Sequence, residues 1–123
     1  MSSAPEEIVR EFCEAWSRRD IDEILDYFTK DAVYHNIPMP AVEGHDGIRN
    51  VLNMFVPPAD SIQFDILRIA SNGDVVFTER IDRFEMGERK IALPVAGVFE
   101  ISDGKIAAWR DYFDMQMFTQ QSV

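Results

Sequence analysis

Arg80 and Asp82 stand two residues apart, as do Tyr34 and Asn36, and Asp111 stands two residues after Trp109 and two before Phe113. In a strand, residues two apart share a face and lie about 6.5–7 Å from one another. A guanidinium at position 80 reaches that far, and its forked donors can hold Asp82 and a second carboxylate together. If that second carboxylate is Asp111, the chain brings together two acids with one arginine between them. Two carboxylates in different surroundings can hold different proton states. The ionised acid can take a proton from water, and the protonated one can give a proton to a leaving oxygen. Tyr34 and Asn36 are neutral hydrogen-bonding groups suited to holding a water molecule. The chemistry this set could do is direct acid–base catalysis on a small molecule.

Each pair has a plainer reading. An Arg-x-Asp pair on a strand is commonly an exposed cross-strand ion pair of little energetic weight. Tyr34 and Asn36 suit any strand that ends in a turn. Asp111 is the most unusual, because the face Ala107, Trp109, Asp111, Phe113 is otherwise apolar and a carboxylate there is costly without partners. The opposite face carries Ile106, Ala108, Arg110, Tyr112 and Asp114, so Asp111 rather than Asp114 is the candidate base. His35 points away from Tyr34 and Asn36, and His45 sits beside Gly44 at a helix start. Both are weaker candidates. Cys13 falls on an apolar helix face and reads as a core or pocket-wall residue.

The elements that must carry these residues follow from periodicity. Ile8, Val9, Phe12, Cys13 and Trp16 recur at helical spacing and predict a helix over 4–18, with Ser3 and Glu6 as a capping box. Asp20 with Glu23 repeats the capping pattern before a helix over 21–28. A strand over 32–37 is stopped by Pro38-Met39-Pro40. A helix over 46–55 buries Ile48, Val51, Leu52 and Phe55. Period-two patterning then predicts strands over 61–70, 75–84, 90–101 and 106–114, with Pro94 marking a bulge or bend. In 75–84 both faces are mixed, Val76, Thr78, Arg80, Asp82, Phe84 against Val75, Phe77, Glu79, Ile81, Arg83, so periodicity leaves open which is inside. The tail, 115–123, has no firm pattern. Helices first and antiparallel strands after them predict an α+β domain over 1–123, a curved sheet with helices on one side.

Composition narrows the function. The chain has 123 residues, 46% of them apolar, enough for one core. Its net charge of −10 disfavours nucleic acid as a partner. A single cysteine rules out an internal disulfide and a cysteine-based metal site, and fits the cytoplasm. No apolar run is long enough for a membrane span, and the first residues do not read as a secretory signal.

Four segments together resemble the limonene-1,2-epoxide hydrolase family. They are Tyr34-His35-Asn36-Ile37-Pro38-Met39-Pro40, Thr78-Glu79-Arg80-Ile81-Asp82, Gly97-Val98-Phe99, and the run from Gly104 to Asp114 through Trp109-Arg110-Asp111. The resemblance implies a cone-shaped fold of the nuclear-transport-factor-like, SnoaL-like type, with a highly curved, mostly antiparallel mixed sheet. It also implies a homodimer, no metal, no cofactor, and one-step attack of water on a small hydrophobic epoxide. In that reading Asp111 activates the water, Tyr34 and Asn36 help hold it, Asp82 protonates the epoxide oxygen and Arg80 bridges the acids. The pocket wall would include Cys13, Trp16, Phe55, Phe84, Leu93, Val95 and Phe113. The same fold admits a ketosteroid-isomerase-like or polyketide-cyclase-like enzyme, or a non-catalytic ligand-binding domain.

Overall fold

In a computed structural model, described over residues 4–121, helices α1 (Pro5–Ala15), α2 (Ile21–Leu25), α3 (Gly44–Phe55) and α4 (Met115–Gln121) accompany six strands. The strands are β1 (Phe28–Asn36), β2 (Val42–Glu43), β3 (Ser61–Asn72), β4 (Val75–Met86), β5 (Arg89–Ser102) and β6 (Lys105–Tyr112). They form one curved, open sheet in the order β2-β1-β6-β5-β4-β3. Every neighbouring pair is antiparallel except β1 and β6, which run parallel. Helix α1 packs on β3, α3 on β1 and α4 on β5. Phe12, Trp16, Phe28, Phe99 and Trp109 form the aromatic centre of the core between sheet and helices.

The α+β architecture follows the period-two and helical patterns, but several boundaries move. The first helix ends at Ala15, and Trp16–Arg18 closes it as a 3₁₀ turn, finished by Arg19 at φ 55°. Ala4 holds the N-cap position without a side-chain cap, and Pro5 follows it, where its missing N–H costs no helical bond. The proposed capping residue Ser3 lies outside the described residues. The Asp20 cap is present, its carboxylate accepting from Glu23 N at 3.2 Å. That helix stops at Leu25 rather than residue 28, because Phe28 is drawn into β1 beside Ile106 of β6. β2 and α4 carry too little pattern to be read from the sequence: one is two residues long, and the other has no buried residue.

Pro94 makes no bulge. The β4–β5 register runs unbroken through Ile81 opposite Pro94. β6 pairs with β5 only from Ala96 onward, so Pro94 lies where β5 has a free edge and its missing N–H breaks no ladder. Irregularity falls instead on β6. Ile101 faces Ile106 while Glu100 faces Ala108, which leaves Ala107 as an extra residue. The bulge reverses the phase, so Ile106 is buried together with Trp109 and Asp111 rather than opposite to them.

Candidate active site

Register decides which side chains meet. On the parallel pair, Tyr34 lies beside Trp109 and Asn36 beside Asp111. Across β5, Asp111 pairs with Gly97, and Gly97 pairs with Thr78 of β4. The face of β4 that periodicity left open is settled by packing: Val76, Thr78, Arg80 and Asp82 are buried, while Phe77, Glu79 and Arg83 are exposed. Asp82 and Asp111 are only 5% and 3% exposed, and Arg80 is fully buried.

Arg80 uses all five of its N–H donors. Nε and Nη2 donate to Oδ1 and Oδ2 of Asp82 at 3.0 and 2.9 Å. Nη1 and Nη2 donate to Oδ1 and Oδ2 of Asp111 at 3.2 and 2.7 Å. The remaining Nη1 hydrogen goes to Thr78 Oγ1 at 3.1 Å. Phe64, Phe99 and Trp109 surround the guanidinium, 5.2, 5.9 and 5.8 Å from its carbon to their ring centres. This is a paired, fully bonded buried charge of the kind a protein interior tolerates.

Trp109 orders the other half of the site. Its indole N–H donates to Asp111 Oδ1 at 2.6 Å. Its ring lies between Tyr34, stacked at 4.3 Å, and Phe99, stacked at 5.4 Å. Tyr34 Oη in turn donates to Asn36 Oδ1 at 3.2 Å. Burial pushes the Tyr34 hydroxyl up, so it stays protonated and remains a donor. Burial is also the main cause that raises Asp82, from 3.8 to about 6, against the pull of Arg80. Arg80 loses to desolvation but gains more from Asp111 and Asp82, which hold it well above its ordinary value.

Gly97 is a part of the site that the chemistry-bearing residues did not point to. A Cβ there would clash with Arg80 Nη1, lie 2.7 Å from Asp111 Oδ1 and 3.0 Å from Thr78 Oγ1. The guanidinium crosses β5 through the space that this glycine leaves. A glycine inside a strand, with bulky residues on either side, is the sequence signal for such a close approach. Gly97→Ala is expected to cost about 1–3 kcal/mol of stability by overpacking, measured by urea unfolding, and to lower turnover together with stability. A variant as stable and active as the parent would show that the contact relaxes freely.

Asp82 and Asp111 open onto a cavity of about 40 Å³, whose wall includes Trp16, Phe55, Phe84, Leu93, Val95 and Phe113. Tyr34 and Asn36 line it as well. Cys13 does not. It is packed in the core and borders a shallow groove between α1 and β3, while the 3₁₀ turn that follows α1 presents Trp16 to the cavity. Burial raises its thiol to about 12, which makes it no nucleophile at neutral pH. Met39, Phe64 and Phe118 complete the wall and were not singled out from the sequence. Phe118 comes from α4, which the tail's composition did not reveal. His35 makes no part of the cavity, and His45 sits against the Phe28 carbonyl at 3.2 Å. Among the described residues, no group of three or more His, Cys, Asp or Glu is placed to hold a metal ion. Arg80 occupies the position between the two acids.

A curved, open α+β sheet with helices packed over an apolar pocket places the chain in the nuclear-transport-factor-like, SnoaL-like fold class. Comparison with known proteins narrows it further. The family model for the limonene-1,2-epoxide hydrolase catalytic domain matches residues 3–123. Epoxide hydrolase EphG of Mycobacterium tuberculosis is 33% identical over 107 residues, 87% of this chain and 71% of that protein. The structure of an LEH-like epoxide hydrolase from M. tuberculosis superposes with a TM-score of 0.85 at 30% identity, covering 98% of this chain and 91% of that one. A SnoaL-like polyketide cyclase candidate from Shewanella denitrificans shares the fold, with a TM-score of 0.84 at 15% identity over 96% of each chain. The chain belongs to the limonene-1,2-epoxide hydrolase family, and with it to the epoxide hydrolases. No helix among the described residues is long and apolar enough to cross a membrane.

Proposed function

We propose that the protein adds water to a small hydrophobic epoxide in one step, giving a vicinal diol without a cofactor. The observation that carries this reading is the bridging of Asp82 and Asp111 by one buried arginine in an apolar pocket. Asp111 Oδ1 already accepts from Trp109 and Arg80, whereas Oδ2 accepts only from Arg80. The free lone pair is therefore on Oδ2, and that atom takes the proton from water. Asn36 Oδ1 accepts the water's other hydrogen, and Tyr34, whose hydroxyl donates to that same oxygen, holds the amide in place. As the new C–O bond forms, the epoxide C–O bond breaks and Asp82 gives its proton to the departing oxygen. Proton transfer from Asp111 back to Asp82 restores the starting state.

An isomerase-like or cyclase-like reading would use one aspartate alone as base toward a C–H proton, and the bridging of both acids by Arg80 argues against it. The negative charge of the chain supports a small molecule rather than nucleic acid as partner. The family resemblance and the single cysteine support a homodimer acting in the cytoplasm.

Turnover of an epoxide panel in oxygen-18 water tests the reaction. Label is expected in the diol within a single turnover, with no covalent ester on the enzyme. Unlabelled diol from the first turnover would instead make a carboxylate the nucleophile, and no turnover of any epoxide would remove the reading. The pH profile tests the acid. Because Asp82 must be protonated, kcat/KM is expected to fall as pH rises through about 6. The same shift has a stability consequence. Asp82 holds its proton longer folded than unfolded, so between about 4 and 6 the folded state binds more protons. Its contribution to stability is present at low pH and is lost as pH rises through that window. Asp82→Asn should flatten this part of the Tm-against-pH curve, and an unaltered curve would rule out Asp82 as its source.

A further inference from the structure

A second cavity, of about 240 Å³, lies behind the one that holds the two acids. It is enclosed by the connection after β1, by β2 and by α3, through Pro40, Val42, Val51 and Met54. Four residues border both cavities: Tyr34, Asn36, Met39 and Phe55. The partition between them is therefore the Tyr34–Asn36 pair together with the side chains of Met39 and Phe55. The acid-bearing chamber, at about 40 Å³, is the smaller of the two. The neighbouring chamber is the roomier, and apart from Tyr34 and Asn36 its wall is Met, Pro, Val and Phe side chains. The two chambers together approach the roughly 300 Å³ at which small-ligand pockets begin.

The divider is built to yield. Met39 is unbranched, with three rotatable side-chain bonds, and adapts to irregular spaces. Its backbone is pinned by its N–H on the Asn36 carbonyl at 2.7 Å, and Ile37 N–H is held by the Asp111 carbonyl at 2.9 Å. The side chain can therefore swing while Tyr34, Asn36 and Asp111 keep their places. At the far end, Met54 is 65% exposed, an apolar residue at the chamber's outer rim.

We infer that the substrate is an epoxide carrying an unbranched apolar chain, with its ring in the cavity that Asp82 and Asp111 line and its chain laid past Met39 into the chamber lined by Val42, Val51 and Met54. This rests on the epoxide-hydrolase reading above and adds the substrate class. Val51 and Met54 line only the rear chamber, so they set chain-length preference without touching the acids.

The test compares the C4 and C8 terminal substrates, 1,2-epoxybutane and 1,2-epoxyoctane, and their product diols. Kinetics measures turnover of the epoxides, and calorimetry measures binding of 1,2-butanediol and 1,2-octanediol. Full burial of each methylene corresponds to about a fourfold gain, so the wild-type protein is expected to favour the C8 diol by well over tenfold. Val51→Phe, which fills the rear chamber, should bring the C8-to-C4 ratio down toward one. Met54→Trp changes an exposed residue, so folding is spared, and it should lower the same ratio by narrowing the rim. A wild-type affinity that ignores chain length would overturn the inference, as would a ratio that survives in every folded variant. Diol binding separates the two readings. If octanediol binds with the expected preference and loses it in the variants while no epoxide is turned over, the chamber stands and the hydrolase reading falls. If epoxides are turned over with no chain-length preference, the hydrolase reading stands and the chamber falls.

Discussion

Asp111→Asn is expected to lower kcat/KM by about 10²–10⁴-fold, the range that general-base catalysis contributes. The substitution preserves shape but removes the proton acceptor. It also misfits its surroundings. Asp111 accepts from Trp109 and from two nitrogens of Arg80, with donors on both carboxylate oxygens. An amide has a single oxygen, so either orientation turns its NH₂ toward an existing donor. A loss of about 1.5–3 kcal/mol of stability is therefore expected alongside the kinetic loss, as for a hydrogen bond to a charged group. Steady-state kinetics and denaturant unfolding measure the two effects separately. Full turnover in Asp111→Asn would remove Asp111 as the base, however well the variant folds. Asp82→Asn should lose turnover as well, because an amide holds its hydrogens too tightly to protonate the oxygen. If both variants keep full activity, the two-acid mechanism is wrong.

Arg80→Ala carries the largest expected effect on stability. Removing one partner of a buried ion pair costs about 3–5 kcal/mol, because the remaining charge is left unpaired. Here two carboxylates are left, both nearly sealed from solvent. Both acids also lose the group that positions them, so activity should collapse. Arg80→Lys separates charge from geometry. An ammonium keeps the positive charge but offers three donors on one atom, where five acceptor contacts on three residues are now met. The lysine variant should fold better than the alanine one and still lose most turnover. Equal turnover in lysine variant and parent would reduce Arg80 to a simple counter-charge.

What could be read from the residue order is the part of the molecule governed by local periodicity. The helical spacing of Ile8, Val9, Phe12 and Trp16, and the alternation of Ile91, Leu93, Val95, Gly97 and Phe99, are set by side chains partitioning between core and water. They appear as buried faces in the fold. Asp111 could be picked out for the same reason, as an acid on a face that had to be buried. Elements stabilised by contacts with distant segments were not legible. The two-residue β2 exists only as a partner of β1. Helix α4 buries no residue of its own, yet Gln121 is held by the Ala92 N–H and carbonyl at 2.7 and 3.1 Å, and Phe118 packs near Phe55 and Phe113.

The residue types of the site, two acids, an arginine, a tyrosine and an asparagine, were determined by the sequence alone, as was the sharing of a face by residues two apart. Only the tertiary structure decided that these faces converge. The reason is register. The parallel β1–β6 pairing, the bulge at Ala107 and the pairing of Gly97 with both Thr78 and Asp111 are agreements between strands far apart in the chain. A slip of one residue in any of them would turn its side chains to the opposite face. The passage of Arg80 over Gly97 to Asp111 is such an agreement, and no spacing along a single strand encodes it.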